Sequence, residues 1–599
     1  MSRFTAKLFC AAAAAAIASA AAPASAQSVD RIVAFGDSYA DDGNLFQLLG
    51  IPCPAAYPQC RFSDATNFVD TMAQLLGVPV DNFAIGGAFT GNGNINGPGI
   101  PGFVTEYSAF LAGGGPAAFP RVSGTFDAND LVVISIGGND ARAYERSLGL
   151  TPTSEQIAGL IAGVPAQAQI RVAEASAGIN ALVNAGARNI TFLAGDVGRL
   201  PEVSGLPVAA VGSAYAAAFN AGIKTELAEV AAQGVIVNYL DLNLIGDVVE
   251  NNLSAFGLIS AGACPIECVT TNAPLAGQYL FYVDQVHLTA RGFQIVGQYA
   301  VRQLEAPLHF ASQSETGLIA ATSFASTLSG RVDLSHAREG SEGRGLHVFV
   351  SGNGAKRDFG RRNTSLGYEL DTFGVTAGAE YDRGGAVFGV AGNWSRPEAN
   401  LATTTGDVRA RAIQLGAYGG WAMGGAFVQA HASHGWLDYD IRRTAVIDDI
   451  HAETDGSATS AGAKAGFLFD TGGIRVGPVV ALNYAKAELD GYTETGDPVL
   501  TNIVQDQDVS ALTGSVGLEA RADMAAGGLA VRPYAALTVE RDFKGDGRTV
   551  RYAGTASPMI VNSFVIEDRS KDTYARLAAG ANFALGSRAA LQIQGTTAF

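Results

Sequence analysis

From Ile32 to about Glu305, short apolar runs rich in β-branched residues alternate with longer stretches whose apolar positions recur at helical spacing. Ile32–Phe35, Val78–Ala84, Leu131–Ile136, Ile190–Leu193 and Val235–Leu240 are predicted strands. Ser213–Ala232, with Tyr215, Phe219, Ile223, Leu227 and Val230 on one face, is a predicted helix. Such alternation predicts a parallel sheet covered by helices on both sides, a three-layer α/β domain. Beyond about His347 the period changes to two. Ile474, Val476, Pro478, Val480, Leu482 and Tyr484 form an apolar face opposite Arg475, Gly477, Ala481 and Asn483. The same alternation runs through Ile413, Leu415, Ala417 and Trp421, through Leu512, Val516, Leu518 and Ala520, and through the last segment, Leu591 to Phe599. Stretches of this length, separated by turns such as Asp382-Arg383-Gly384-Gly385, predict an antiparallel transmembrane β-barrel with its apolar positions outward. A soluble β-sandwich also alternates, but the persistence of the pattern to Phe599 favours the barrel. About eleven strands are recognisable, and closed bacterial barrels have even numbers, so one more is expected within Thr549–Val565.

The two patterned regions are joined by Phe310–Leu334, rich in Ala, Ser and Thr, with Leu318, Ala321, Ala325 and Leu328 at helical spacing, and by a polar run from His336 to Gly345. A narrow helix of small residues fits a barrel lumen; a surface helix or flexible linker is the alternative. At the start, Arg3 and Lys7 precede an apolar run from Leu8 to Ala22 and the small-x-small site Ala24-Ser25-Ala26, the form of a secretory signal, with Gln27 as the expected first mature residue. The expected division is a signal over 1–26, an α/β passenger over 27–305, a linker with its lumen helix over 306–345 and a barrel over 346–599. A chain of 599 residues needs more than one core. Its net charge of −17 argues against a nucleic-acid partner, which demands a basic surface. Of five cysteines, Cys10 falls in the signal. Cys53, Cys60, Cys264 and Cys268 form two close pairs in a chain bound for an oxidising compartment, so two small disulfide loops are favoured over the other connectivities or a zinc site.

The α/β region carries the candidate chemistry. FGDSYADDGN places Ser38 at the C-terminal end of the first strand, the edge of such sheets where ligands bind. Gly-Asp-Ser alone is an ordinary turn sequence. Its weight comes from DQVHLT, where Asp284 and His287 are three residues apart. Imidazole ionises near neutrality and can take a proton from a serine hydroxyl, while a carboxylate fixes its tautomer. His287 is the only histidine before residue 300, so the region offers no rival base. NFAIGGAFTGNG supplies Gly87, where the backbone can approach closely, and SIGGND supplies Asn139, an amide donor; both follow predicted strands. Phe89, Ile95, Ile100, Phe103 and Phe110 either line an acyl pocket or form a loop core. His431 and His434 in the barrel region fall on opposite strand faces and do not share a metal.

These four blocks resemble those of the GDSL (SGNH) hydrolases. The resemblance spans Ser28 to Glu305 and implies a flavodoxin-like sheet, nucleophilic attack by Ser38, and proton transfer by His287 held by Asp284. It also implies an oxyanion hole formed by Ser38 N–H, Gly87 N–H and the Asn139 amide, with no metal and no cofactor. Asp37 and Asn44 match the first block as loop-shaping residues, whereas Tyr39 stands where Leu is usual, a change expected to affect packing more than chemistry. The order of parts resembles that of type V autotransporters, which implies a twelve-stranded barrel and a passenger outside the cell. That family also implies contact with outer-membrane lipids, periplasmic chaperones and the barrel-assembly machinery. The expected function is a surface serine esterase or lipase acting on ester or lipid substrates. The alternatives are a noncatalytic adhesin passenger, or a carbohydrate O-deacetylase, thioesterase or acyltransferase using the same serine.

Overall fold

The computed structural model describes residues 29–115, 118–335, 344–401, 405–526, 529–545, 547–567, 572–584 and 590–599. The expected signal over 1–26 and most of the polar run 336–345 lie outside the described residues. Strands β1 (Arg31–Gly36), β2 (Val80–Asn82), β3 (Asp130–Ser135), β4 (Asn189–Ala194) and β5 (Ile236–Asp241) form a parallel sheet in the order β2-β1-β3-β4-β5, the flavodoxin-like order. Every residue of β3 and β4 is buried, as required of strands covered on both sides. Alternate residues feed two cores. Val33, Phe35, Val132, Ile134 and Phe192 pack with helices α3 (Phe103–Leu111), α5 (Ser154–Asn184) and α6 (Ala209–Ala232). Ile32, Ala34, Leu131, Val133 and Leu240 pack on the other side with α2 (Phe68–Leu76), α7 (Leu242–Asn251) and α9 (Ala290–Glu305). Helices α1 (Asn44–Leu49), α4 (Gly138–Glu145) and the single turn α8 (Glu267–Thr270) complete this region, beside the short parallel pair β6 (Ser260–Ala263) and β7 (Tyr279–Phe281). Side chains start the helices where the sequence provides them: Asn67 with Asp70 and Thr153 with Gln156 form capping boxes. Cys53 is bonded to Cys60 and Cys264 to Cys268.

After a short turn at Ala306–His309, the chain enters α10 (Phe310–Ser335) and then a series of strands. These are β8 (Gly345–Phe359), β9 (Tyr368–Asp382), β10 (Ala386–Leu401), β11 (Gly406–Met423), β12 (Ala426–Arg443), β13 (Ile450–Phe467), β14 (Phe469–Asp470), β15 (Ile474–Leu489), β16 (Tyr492–Thr493) and β17 (Asn502–Val504). There follow β18 (Gln507–Ala522), β19 (Met524–Ala526), β20 (Leu529–Asp542), β21 (Arg548–Gly554), β22 (Asn562–Ile566), β23 (Tyr574–Ala584) and β24 (Ala590–Ala598). Among the described residues the antiparallel wall follows one path of eleven strands, β8 to β13, β15, β18, β20, β23 and β24. The further wall strand expected within Thr549–Val565 is not there: β21 and β22 leave the wall and join β16 and β17 in a separate four-stranded sheet.

The outward face is exposed and apolar at Val428, Leu415, Val480, Leu482, Val516 and Leu518. Neighbouring strands bring Trp394, Ile413 and Trp436 to one height, part of an aromatic girdle. β11 and β12 are 18 residues long, well beyond the ~9–11 that cross a bilayer. The surplus stands clear of the hydrocarbon, because the same outward face turns charged beyond the girdle, with Arg409–Glu398 and Arg442–Asp440 pairs. His431 is buried inside the wall and His434 is exposed outside it, as their odd spacing predicts.

α10 fills the lumen and touches β8 to β13, β15 and β18. Small residues are required there: a methyl on Gly317 would sit 2.3 Å from Tyr439 Oη. Polar bonds fix the helix, with Arg331 Nη2 2.6 Å from Glu380 Oε1 and Tyr492 Oη donating to Gln313 Oε1 at 2.9 Å. The loops at the opposite end of the wall from the Asp382–Gly385 turn reach the α/β region. Val499 and Leu500 enter its α9-side core, Ile560 enters the other, and the Asn562 amide pairs with both N and O of Val237 on β5. The free edge of the parallel sheet is thereby covered.

Candidate active site

β1 ends at Gly36, whose φ of 122° and approach to β3 exclude any side chain; a methyl would lie 1.9 Å from Ser135 O. Buried Glu106 of α3 accepts Gly36 N–H at 2.6 Å and anchors this corner from below. Asp37 N donates to Ser135 O, and Asp37 Oδ1 accepts from Ser135 Oγ at 3.0 Å and Tyr39 N at 3.1 Å. Burial pushes the Asp37 carboxyl up to about 6 in spite of these bonds. Ser38 follows, 8% exposed, at the C-terminal edge of the sheet.

The second loop is tied to the first by Asp41, whose carboxylate accepts N–H groups from Gly43, Asn44, Leu45 and Gly86. Asn44 spans to Asn82 O and Ala84 O, so it shapes the loop as expected. Gly87 has φ 82°, and a methyl there would meet Asn96 Nδ2 at 2.2 Å, so the turn admits only glycine. Asn139, in the first turn of α4, donates from Nδ2 to Ala88 O at 3.3 Å. Asp140 beside it accepts Thr90 N at 2.9 Å. The Gly87 and Asn139 loops are thus bonded to each other, and the Ser38 loop to both of their strands.

Asp284 and His287 lie in the loop between β7 and α9. Gln285 takes a positive φ of 65°, which tightens the loop so that residues three apart meet. His287 Nε2 is 2.7 Å from Ser38 Oγ, and His287 Nδ1 is 2.8 Å from Asp284 Oδ2. Asp284 Oδ1 accepts N–H from Val286 and His287, each at 2.9 Å, and Oδ2 also accepts Tyr57 O–H at 2.6 Å. Burial opposes ionisation of Asp284, but His287 and these hydrogen bonds hold its carboxyl well below the usual carboxylate range. Tyr39 donates to Val286 O at 2.8 Å. The residue that departs from the GDSL pattern therefore joins the serine loop to the histidine loop.

Residues 32–300 match the family described as GDSL-like Lipase/Acylhydrolase, and residues 348–596 match the Autotransporter beta-domain. The chain is a GDSL-like hydrolase domain carried by an autotransporter β-domain. Its barrel lies in the outer membrane and presents the GDSL domain outside. It is 24% identical to Esterase EstA of Pseudomonas aeruginosa over 404 residues, 63% of this chain and 60% of that protein; the chain thus spans less than two thirds of that relative's length. A Pseudomonas putida protein described only as uncharacterized, from the trpE-trpG intergenic region, is 24% identical over 78% of this chain and 77% of its own length. Among solved structures, the translocator domain of the Neisseria meningitidis autotransporter NalP covers 47% of this chain and 93% of its own, with 16% identity and a TM-score of 0.37.

A cavity of about 580 Å³ is bordered by Asp37 and Tyr39, the chain neighbours of Ser38, by Val286, next to His287, and by Asn139, and it extends past Leu193, Phe219, Ile245 and Ile259. None of the apolar residues singled out in the second block lines it. Phe103 and Phe110 are fully buried in the α5-side core, and Ile100 packs against that core. The loop-core alternative holds for these residues, and the open apolar volume lies across the sheet top, beyond β3 and β4. Asp41, Glu106, Asp140 and Tyr57 escaped the sequence reading. Only the position of Tyr57 between two paired cysteines gave any sign.

Proposed function

We propose that the GDSL domain is a serine esterase that cleaves carboxylic esters at the cell surface through an acyl-enzyme. The observation that carries this is the continuous chain Ser38 Oγ–His287 Nε2 and His287 Nδ1–Asp284 Oδ2, at 2.7 and 2.8 Å. His287 takes the Ser38 proton as Oγ attacks the ester carbonyl carbon, and Asp284 stabilises the imidazolium that results. His287 then returns the proton to the departing alkoxide oxygen, leaving an acyl group on Ser38. Water, deprotonated by the same imidazole, releases the acid. Gly87 N–H, Ser38 N–H and Asn139 Nδ2 serve as donors to the oxyanion.

The adjoining cavity has the size usual for small-ligand sites, ~300–1,000 Å³, and its apolar depth suits the acyl portion of medium-chain or lipid-like esters. The name of the Pseudomonas aeruginosa relative, an esterase, agrees with this reading. In the same proposal, residues 27–305 are the passenger, 306–345 the linker and 346–599 the barrel, delivered by periplasmic chaperones and the barrel-assembly machinery. An alkyl fluorophosphonate tests the nucleophile directly. We expect one covalent adduct, mapped by mass spectrometry to the peptide containing Ser38 and formed far more slowly in His287→Ala. No adduct, or one on another serine, would overturn the proposal.

A further inference from the structure

We infer that Tyr57 is a positioning residue for Asp284, and that the Cys53–Cys60 disulfide holds it there, so that full turnover requires the oxidised loop. The inference rests on the serine-esterase reading above. Tyr57 Oη and His287 Nδ1 bind the same carboxylate oxygen, Asp284 Oδ2, at 2.6 and 2.8 Å. The other oxygen is fixed by two backbone N–H groups. Each oxygen therefore accepts two bonds, and the phenol is the donor that keeps Oδ2 in the plane facing the imidazole. Burial and the nearby Asp284 raise the pKa of the Tyr57 hydroxyl, so it stays a donor.

Tyr57 is not carried by the sheet or by a helix. It sits in an eight-residue disulfide loop of turns, Cys53 to Cys60, whose internal backbone bonds run from Tyr57 N to Pro54 O and from Cys60 N to Tyr57 O. Cys60 closes this loop at φ 61°, a left-handed conformation that a non-glycine residue adopts only when its surroundings impose it. The His287 side answers with a second bond: Tyr282 donates to Ala56 O at 2.7 Å. The ring of Phe62, just past the disulfide, lies tilted against both Tyr57 and His287, with centroid separations of 5.1 Å. The loop thus meets the catalytic carboxylate and ring from outside, and the covalent bond between its ends opposes the relaxation of Cys60. Reduction by a dithiol breaks the S–S bond, leaves two thiols after taking up two electrons and two protons, and closes the reductant to a cyclic disulfide. The loop is then free to withdraw its phenol.

The test uses the full chain in detergent with p-nitrophenyl butyrate. Tyr57→Phe should lower kcat about tenfold and leave KM within about twofold, the split expected of a group that acts through Asp284 and not on substrate. The Cys53→Ser/Cys60→Ser pair should lose a similar factor, and adding Tyr57→Phe to it should cost less than about a further twofold, because both act through one contact. Unchanged kcat in Tyr57→Phe, or losses that multiply, overturn the inference. If the cysteine pair does not fold, wild type and Tyr57→Phe are compared before and after dithiothreitol. Wild type should fall to the level of the variant and the variant should hold; equal fractional losses overturn the inference. Ser38→Ala runs alongside. Activity there removes the nucleophile assignment itself, whereas an inert Ser38→Ala with an unimpaired Tyr57→Phe removes this inference alone.

Discussion

At the scale of single residues, the site depends on carboxylates whose environments differ. The Asp284 carboxyl has an ordinary value of 3.8 and is held below it in the folded chain. A group depressed in this way stabilises the fold fully above its unfolded value, and that contribution is lost as pH falls through the folded value. The difference in melting temperature between wild type and Asp284→Asn should therefore not shrink between neutrality and about pH 4 and should fall away only below it; a difference that is already shrinking at pH 6 would contradict the assignment. Asn139→Ala should lower kcat by ~10²–10³ with little change in KM, measured by steady-state ester hydrolysis. Ser38, Gly87, Asn139, Asp284 and His287 were legible because each is a distinctive residue type at a strand end in a fixed order. Glu106, Asp41 and Tyr57 were not, since each acts across a long sequence separation: Glu106 meets Gly36, Asp41 meets Gly86 and Tyr57 meets Asp284. Apart from the paired cysteines on either side of Tyr57, nothing local to those residues announces the contact.

At the scale of elements, periodicity worked where one face of the backbone meets a uniform surrounding. The wall strands alternate because lipid lies on one side and the lumen on the other, and Phe310–Leu334 was readable as a lumen helix because small residues are what a narrow bore admits. It failed at Thr549–Val565. There β21 and β22 pair with each other and with β17, and Tyr552 and Phe564 pack on Phe310 of α10, so their pattern follows tertiary contact and not the bilayer. The lumen helix gives a direct prediction. Arg331→Ala removes the cation that faces buried Glu380, and losing one partner of a buried pair typically costs ~3–5 kcal/mol. The variant barrel should unfold at lower temperature in a heat-modifiability gel, while Gln429→Ala, on the same lumen face, should shift it less. Equal shifts would contradict the importance given to the ion pair.

At the scale of the whole molecule, the hydrolase domain is seated on its barrel by the loop sheet. Asn562 replaces a neighbouring strand for Val237, and Ile560, Val499 and Leu500 supply apolar contact on both faces. Asn562→Ala leaves the Val237 amide and carbonyl without these partners, at ~1–3 kcal/mol for each buried group. The hydrolase domain should then melt several degrees earlier in the full chain, read by loss of ester hydrolysis after heating; an unchanged profile would show that the two halves are only tethered. The central claim is that a serine at the tip of β1, presented outside the outer membrane, cleaves esters. Its most direct test is hydrolysis of a membrane-impermeant p-nitrophenyl ester by intact cells displaying wild type or Ser38→Ala in equal amounts. The wild-type cells should hydrolyse it and the Ser38→Ala cells should fall to the rate of cells lacking the protein; equal rates from the two would contradict the account.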